Sequence, residues 1–287
     1  MGLRSYIVTR VLLTIPMIML LLSIVFLVVR VLPGDPVLLH FEKRATPEAM
    51  EAMRHQLGLD KPLPVQYFEY LAGLLHGDLG KSMQDFSSIG QQIFSAFPAT
   101  LELTIYSMAV AVTLGILLGV RASRSYNSPL DHSIRAFGVI MYAIPIFFLG
   151  MIFQIIFGIG LRWFPTGLRI HPAMEPPYGL NLGDLHISTG LYTVDSLLEG
   201  NIFKFLQALR YLFLPSLTLG LVLCGVFIRL TRSNMLETLR LDFVTAARAR
   251  GLKERAVVYG YAFRNAFLPV LTMMGLQFAV LLGGAIL

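Results

Sequence analysis

Residues 212–229, LFLPSLTLGLVLCGVFIR, form an apolar stretch whose first charged side chain, Arg229, comes at its very end. A helix needs roughly 20 apolar residues to cross the hydrocarbon layer of a bilayer, so this stretch predicts a membrane-spanning helix. Four further apolar stretches lie at about 11–32, 100–120, 137–160 and 266–287. None of the five alternates as a barrel strand does. The sequence therefore predicts five membrane-spanning helices.

The composition of the chain indicates the same class of protein. Hydrophobic residues make up 55% of the 287 residues, charged residues make up 14%, and the mean hydropathy is +0.69. So few charged side chains cannot cover the surface of a soluble protein of this size. The fold class expected is an all-α integral membrane protein, multi-pass in the cell membrane. The single cysteine, Cys224, lies inside the fourth span and excludes an intrachain disulfide.

The distribution of charge predicts which segments face the cytoplasm. The segment 33–99 carries eight acidic and five basic side chains, whereas the loop 230–265 carries seven basic and three acidic ones. Arg4 and Arg10 precede the first span, and the 121–136 loop is also basic. Cytoplasmic loops carry an excess of Lys and Arg, so the N-terminus and the two basic loops are expected inside the cell. The net charge of +6 thus reflects topology rather than nucleic-acid binding, because no aromatic residues interleave with the basic loop in a base-stacking pattern.

The spans and loops divide the chain into five parts. They are an N-terminal segment with the first span at 1–32, an extracytoplasmic helical insertion at 33–99, the second and third spans at 100–160, an extracytoplasmic loop at 161–211, and the fourth and fifth spans at 212–287, which enclose the loop 230–265.

Turn and capping residues predict the structure of the outer segments. Thr46 and Pro47 begin one predicted helix, which Gly58 ends. A second helix is predicted from Pro64 to His76, with Gly77 after it. Its apolar face would comprise Val65, Phe68, Leu71 and Leu75. The residues from Tyr178 to Gly190 are predicted to be irregular, and a third amphipathic helix is predicted at about 88–97.

The basic loop contains a short helical pattern with small side chains. Phe243, Ala246, Ala247 and Arg250 lie three and four residues apart, so a helix would place small residues on one face with basic residues beside them. Gly251 then occupies the position at which a left-handed residue ends a helix. Small side chains let the surface of another subunit approach closely. The alternative is an ordinary basic loop that obeys the positive-inside rule.

Motifs along the whole chain resemble those of the dipeptide and oligopeptide ABC importer permeases. The loop with Thr245-Ala246-Ala247 and Gly251 resembles the "EAA" loop of that family, with Thr245 where the general pattern has Glu. The other matching segments are Val31–Pro36, Leu57–Leu63, Gln66-Tyr67, Gly77–Gly80 with Ser82, Pro98–Leu103, Thr189–Tyr192 and Leu214–Gly220.

The resemblance implies a type I ABC importer permease fold, a function and a set of partners. The chain would be the first of two permease subunits and would form half of the translocation pathway. Its partners would be a second permease, two cytoplasmic ATPases and an extracytoplasmic solute-binding protein. ATP and magnesium would be bound by the ATPases, so this chain would carry no cofactor and no catalytic residue. The residues implied in ATPase coupling are Asp242, Phe243, Thr245, Ala246, Ala247, Arg250 and Gly251.

The family has six spans, whereas five are found here. The chain closes on Gly283-Gly284-Ala285-Ile286-Leu287 without an aromatic or charged anchor. The expectation is a sixth span after Leu287.

Three residues within the spans are candidates for the translocation pathway. Glu102 is a charged side chain near the outer end of span two, where it is expected to reach headgroups or a partner helix. Pro145 removes a backbone hydrogen bond in the middle of span three, either as a hinge facing the pathway or as a tolerated kink. Gln277 is one of the few polar side chains of span five.

Other functions fit the sequence less well. The segment Leu75–Ser82 ends in Gly-Lys-Ser but lacks the first glycine of a phosphate-binding loop, and the six histidines have no metal-ligand spacing. A single carboxylate without an intramembrane partner gives no proton relay for a secondary transporter. The alternatives that stay open are an importer of oligosaccharides, nickel complexes or another solute, and a non-transport membrane scaffold.

Overall fold

The computed structural model describes residues 2–31, 46–56, 58–82, 87–171, 180–182 and 185–284. These belong to two compact units, Met1–Ser95 and Ala96–Leu287. The helices are α1 (Leu3–Val31), α2 (Pro47–Gln56), α3 (Leu63–Leu75), α4 (Ile89–Arg124), α5 (Pro129–Ala143), α6 (Ile146–Phe153), α7 (Tyr192–Leu198), α8 (Ile202–Thr238), α9 (Asp242–Ala249), α10 (Glu254–Ala256) and α11 (Phe263–Leu282). Helix α6 continues as a π-helix over Gln154–Gly160, and a second π-helix, Val257–Ala262, joins α10 to α11.

The long helices confirm the predicted spans. Among the described residues, four helical stretches are long and apolar enough to cross a membrane: Arg4–Val28, Ile89–Arg124, Ile202–Thr238 and Glu254–Leu282. A bent pair of helices, α5 and the α6 segment, makes up to a fifth span. Within the described residues, the predicted stretches lie in these helices up to Val31 at the first span and Leu282 at the fifth. The helices extend well beyond the apolar stretches, because a helix continues into polar sequence until a cap or turn residue ends it.

The third predicted span, 137–160, consists of two helices with a break between them. It begins at Pro129 and bends by 101° between Ala143 and Ile146. The physical cause is Pro145, which has no amide hydrogen and which forces Ile144 into an extended conformation with ψ of 129°. The sequence allowed either a hinge facing the pathway or a tolerated kink at Pro145, and the structure has a break.

The first unit confirms two of the predicted helices. Helix α2 begins at Pro47, and Gly58 and Gly77 both have positive φ, of 63° and 83°. The predicted apolar face of α3 is exposed within this unit, with Phe68 at 69% and Leu75 at 88%.

The opposite side of α3 is the one that packs within this unit. The Tyr67 ring contacts Phe26 of α1 edge to face at 5.2 Å, and the Tyr67 hydroxyl hydrogen bonds to Ser23 at 2.6 Å. Gln66 is buried and donates to the carbonyl of Lys61 at 2.7 Å. Aromatic and polar contacts therefore form on the side of α3 that does not carry the row of apolar residues.

Two further predictions about the outer segments need correction or extension. The predicted helix at 88–97 is the first part of α4, which runs on through Pro98. In the segment predicted to be irregular, Leu180–Leu182 (β1) and Leu185–Ile187 (β2) form an antiparallel pair with Leu180 opposite Ile187. Residues 178–179 and 183–184 of that segment lie outside the described residues.

Glycines bring the long helices of the second unit close together. A side chain at Gly115 or Gly119 of α4 would overlap Phe227 or Thr231 of α8. A side chain at Gly225 of α8 would overlap the carbonyl oxygen of Gly138 in α5. Without a Cβ the helix backbones meet directly, which is the usual way in which membrane helices pack tightly. Helix α8 thereby becomes the central element on which α4, α5 and α11 lie.

Candidate functional site

Helix α9 is the core of the basic loop that the sequence analysis singled out. Two of its side chains point into the protein: Val244 is fully buried, and Ala247 is 2% exposed. They lie three residues apart and so share one face of the helix. This face packs into a cluster that also contains Val120, Met235, Val257, Val258, Ala262 and Ala266. Residues from α4, α8 and the π-helix before α11 therefore hold α9 in place.

The opposite face of α9 is exposed and is the surface that another subunit can reach. It combines one aromatic ring, small side chains and basic groups, and we call it the outer face of α9. Its members are Asp242, Phe243, Thr245, Ala246, Arg248, Ala249 and Arg250.

The structure places the two alanines of the predicted small-residue face on different sides of α9. Ala246 lies on the outer face, whereas Ala247 is buried against the protein itself, so the prediction that Ala247 is available for contact with another subunit is wrong. The reason is that the spacing of three to Val244 places Ala247 in the same inward row. The other residues predicted to couple to an ATPase, including Gly251, lie at the surface.

Gly251 ends α9 in the manner that the sequence predicts. Its φ is +74°, and its amide donates to the carbonyl of Arg248 at 2.9 Å. The amide of Leu252 donates to the carbonyl of Ala247 at 3.4 Å, and Leu252 packs against the core beneath α9. This pattern of hydrogen bonds is the Schellman motif. It turns the chain sharply and fixes the end of the outer face.

An ion pair spans the turn at Gly251. The guanidinium of Arg248 donates to Glu254 through Nη2 at 2.9 Å and through Nε at 3.2 Å. The hydrogen bond to the carboxylate raises the pKa of Arg248 above its ordinary value. Both side chains are about half exposed, so the pair adds little stability but defines the geometry of the turn. The sequence analysis missed it, since a spacing of six is not a helical spacing.

A second ion pair lies deeper and joins two helices. Asp131 at the start of α5 is fully buried and accepts two hydrogen bonds from Arg232 of α8, from Nε at 2.6 Å and from Nη2 at 2.7 Å. The amide of Asn127, a residue with positive φ, donates at 3.0 Å to Oδ2, the same oxygen that accepts from Nη2 of Arg232. Ser128 caps α5 by accepting from the amide of Asp131. In the sequence, Asp131 and Arg232 are visible only as charges of two separate loops.

Of the two predicted surroundings of Glu102, headgroups or a partner helix, the structure has a helix of the same chain, α7. The Glu102 carboxylate accepts hydrogen bonds from the amide and the hydroxyl of Thr193, both at 2.7 Å, and from Nη2 of Arg169 at 2.9 Å. Arg169 also lies 4.1 Å from the centre of the Tyr192 ring. Glu102 is 5% exposed. It therefore joins α4 to the outer loop and to α7.

The segment before α7 is ordered by a second carboxylate. Asp195 is fully buried and accepts from the hydroxyls of Ser188 and Thr189 and from the amides of Thr189 and Gly190. Four donors saturate its oxygens, so this carboxylate has a structural role.

Two cavities adjoin the predicted pathway residues on the outer side. A cavity of about 390 Å³ begins at Ile146, directly after Pro145, and a cavity of about 190 Å³ is lined by Glu102 and Arg169. The two share Leu168, Tyr211 and Pro215. Gln277 lines neither of them; it is half-buried on α11 and contacts the sulfur of Met273 at 3.9 Å. The structure thus brings Glu102 and the break at Pro145 to neighbouring cavities and places Gln277 elsewhere.

Metal binding finds no support in the described part of the chain. No group of three or more His, Cys, Asp and Glu side chains there is arranged to hold a metal ion.

Comparison with known proteins shows which family this chain matches. Residues 111–287 match the family described as "Binding-protein-dependent transport system inner membrane component", and residues 3–104 match the family described as "Binding-prot-dependent transport system membrane comp, N-term". The chain is 39% identical over 284 residues to the di/tripeptide transport system permease protein DppB of Pseudomonas aeruginosa, covering 99% of this chain and 82% of that protein.

Relatives with other names are similar over the same length. The dipeptide transport system permease protein DppB of Escherichia coli is 36% identical over 284 residues, with 99% of this chain and 82% of that protein covered. The glutathione transport system permease protein GsiC of Pectobacterium atrosepticum is 36% identical over 282 residues, with 98% and 80% covered.

Proposed function

The chain belongs to the family of binding-protein-dependent transport system inner membrane components, and from this premise we propose that its importer carries di- or oligopeptides. It is the membrane permease subunit of an ABC importer and forms half of the translocation pathway. The observation that carries the peptide cargo is the 39% identity over nearly the whole chain to a di/tripeptide permease. The glutathione relative acts on a peptide as well, by its name.

The proposed complex contains three other kinds of subunit. They are a second permease of the same family, two cytoplasmic ATPases that bind ATP and magnesium, and an extracytoplasmic solute-binding protein. The outer face of α9 supports an ATPase contact, because it is exposed on the side that the basic loops assign to the cytoplasm. Phe243, 39% exposed, would be its apolar anchor and Ala246 its point of close approach.

Helix α9 would transmit force because it is held rigidly from below. Val244 and Ala247 join it to α4, α8 and the start of α11, and the Schellman motif fixes its end. Closure of the ATPase dimer would push on the outer face of α9 and move these helices as one body. The buried pair of Asp131 and Arg232 would carry α5 along with α8. Such rigid-body movement of packed helices would switch the pathway between inward-open and outward-open states.

The break at Pro145 would let α5 move farther than α6. The backbone hydrogen bond from Ile144 to Ile140 lies before the bend and that from Phe148 to Pro145 lies after it, and the cavity of about 390 Å³ begins at Ile146. Within this proposal Gln277 contacts the solute, while Glu102 supports the wall of the smaller cavity through Arg169 and Thr193.

The test is reconstitution of the importer with all its partner subunits in proteoliposomes. ATPase activity is measured with the solute-binding protein and, in turn, a dipeptide, glutathione, an oligosaccharide or a nickel complex. Stimulation and uptake with the peptides support the proposal. Stimulation by only the oligosaccharide or the nickel complex would assign another cargo, and an ATPase rate that no solute changes would favour a membrane scaffold.

A further inference from the structure

A groove of about 330 Å³ runs along the surface between α5 and α8. It forms where the two helices cross at Gly138 and Gly225, since the missing side chains leave space on either side of the contact. Val139, Tyr142 and Ile228 line its walls. Apart from its arginines the groove is almost entirely apolar.

Arginines close the groove at the end that faces the cytoplasm. Arg135 and Arg229 line it together with Arg232. Arg232 is occupied by Asp131, whose two oxygens lie 2.6 Å and 2.7 Å from its nitrogens. Arg135 is 3.6 Å from the same carboxylate, which is already matched in charge by Arg232. The three cations and one carboxylate leave a surplus of positive charge at this end.

Arg229 has no acidic partner in the part of the chain that the structure describes. It is exposed, and its guanidinium carbon lies 5.9 Å from the centre of the Tyr142 ring, over the groove. A guanidinium at the edge of the hydrocarbon layer without a counter-ion attracts an anion from its surroundings.

We propose that this groove binds one anionic phospholipid of the cytoplasmic leaflet. Its phosphate lies between Arg135 and Arg229, and an acyl chain follows Val139, Tyr142 and Ile228. Basic pockets between spans on the cytoplasmic side suit lipid headgroups. Arginine matches a phosphate because its planar fork donates two hydrogen bonds at once.

The lining of the groove favours a lipid over a helix of a partner subunit. Its walls are apolar, and its charged groups are three arginines with a single carboxylate beside them, so the bound molecule needs both an apolar part and an anionic part. The order of groups, apolar walls followed by cations, matches an amphiphile that lies along the membrane normal.

The experiment uses the complete importer with its partner subunits in nanodiscs of phosphatidylcholine, with or without phosphatidylglycerol. Native mass spectrometry counts the phosphatidylglycerol that each complex retains. The double variant Arg135→Gln/Arg229→Gln is expected to retain one lipid fewer and to lose about 30-fold in preference for phosphatidylglycerol. Val139→Trp fills the groove without changing charge and is expected to displace the same lipid.

Arg121→Gln is the matched control, because it removes an exposed arginine at the cytoplasmic end of α4 that does not line the groove. Its retention of lipid is expected to equal that of the wild type. Retention in the double variant equal to the wild type would overturn the proposal. Loss in the double variant together with full retention in Val139→Trp would also overturn it, because the lipid would then be held at the surface and not in the groove.

The remaining possible outcome of these tests is that a partner subunit covers the groove. Val139→Cys in a Cys224→Ser background should not crosslink to the second permease, and a specific crosslink would overturn lipid binding in favour of a protein contact. Size-exclusion chromatography of every variant checks that the complex assembles. Since Arg135 and Arg229 are exposed, their replacement is expected to leave assembly unchanged.

Discussion

The guanidinium of Arg232 binds both carboxylate oxygens of Asp131, a residue 101 positions earlier in the chain, and Asp131 is fully buried by this contact. The pair fixes the start of α5 against α8 only three residues before Met235, which packs beneath α9. A bidentate pair in a buried place resists displacement in any direction within its plane. It therefore joins the third span to the helices that hold the candidate docking surface.

Removing one member of this pair should destabilise the permease strongly. Asp131→Ala leaves the Arg232 charge largely buried without a partner, at a cost of about 3–5 kcal/mol. The measurement is the thermal midpoint of the purified complex. In a double-mutant cycle with Arg232→Ala, the double variant should cost less than the sum of the single ones. Additive costs would mean that the two side chains do not act as a pair. Glu254→Ala breaks the exposed pair with Arg248 and serves as the control, with a cost of about 0–1 kcal/mol.

Adjacent alanines on α9 should separate docking from folding. Ala246→Arg adds a long charged side chain to the outer face and should abolish co-purification of the ATPase while permease yield stays normal. Ala247→Arg forces a charge into the cluster around Val244 and Met235 and should lower the yield of folded permease itself. Yield is followed with a fluorescent tag and docking by co-purification. Equal behaviour of the two variants would contradict the orientation of α9.

Gly251→Ala should weaken coupling between ATP hydrolysis and uptake. Nothing lies within 4 Å of a Cβ at this position, so the penalty is that of a left-handed backbone, about 1 kcal/mol or more, and it shifts the end of the outer face. The measurement is the number of ATP molecules hydrolysed per solute imported. Gly260→Ala is the matched control, because Gly260 also has open space around it but has no positive φ. A normal number of ATP molecules hydrolysed per solute imported in Gly251→Ala would contradict a role of this helix end in coupling.

Glu102→Ala should loosen the outer loop and leave the cytoplasmic face intact. It removes the acceptor of three hydrogen bonds and leaves Arg169 without its ion-pair partner. Hydrogen exchange of the backbone amides at 189–195 should become faster, and that at 242–252 should not change. Glu69→Ala, which breaks an exposed pair with Lys61, should change neither region. Unchanged exchange at 189–195 would mean that Asp195 alone orders this segment.

The orientation of the chain is open to a labelling test. Asp60→Cys should react with an impermeant thiol reagent added to intact cells, and Arg255→Cys should not, because the charge bias places the first outside and the second inside. The background is Cys224→Ser, in which the serine can keep the hydrogen bond that the buried thiol donates to Leu221. Labelling of Arg255→Cys in sealed cells would reverse the topology.

The local features of this protein were accessible from its sequence. The spans follow from runs of apolar residues, the orientation from Lys and Arg near the span ends, and the end of α9 from Gly251. Spans, orientation and helix end each depend on residues that are close together along the chain, within about one helix turn or one bilayer thickness. The order of residues in the sequence is therefore enough to predict them. Even the break at Pro145 was visible as a missing amide, although its angle of 101° was not.

Only the tertiary structure decided which side of each element faces the protein. Ala246 and Ala247 are equivalent in the sequence, and the packing of α9 on α4, α8 and the start of α11 makes one accessible and the other buried. The partners of Glu102 and Asp131 lie 67 to 101 residues away, at spacings that no helical or strand period connects. The pair of Asp131 and Arg232 forms where Gly138 and Gly225 let α5 and α8 approach closely. Charge and hydropathy along the chain therefore determined where it crosses the membrane, and close helix packing determined which side chains meet.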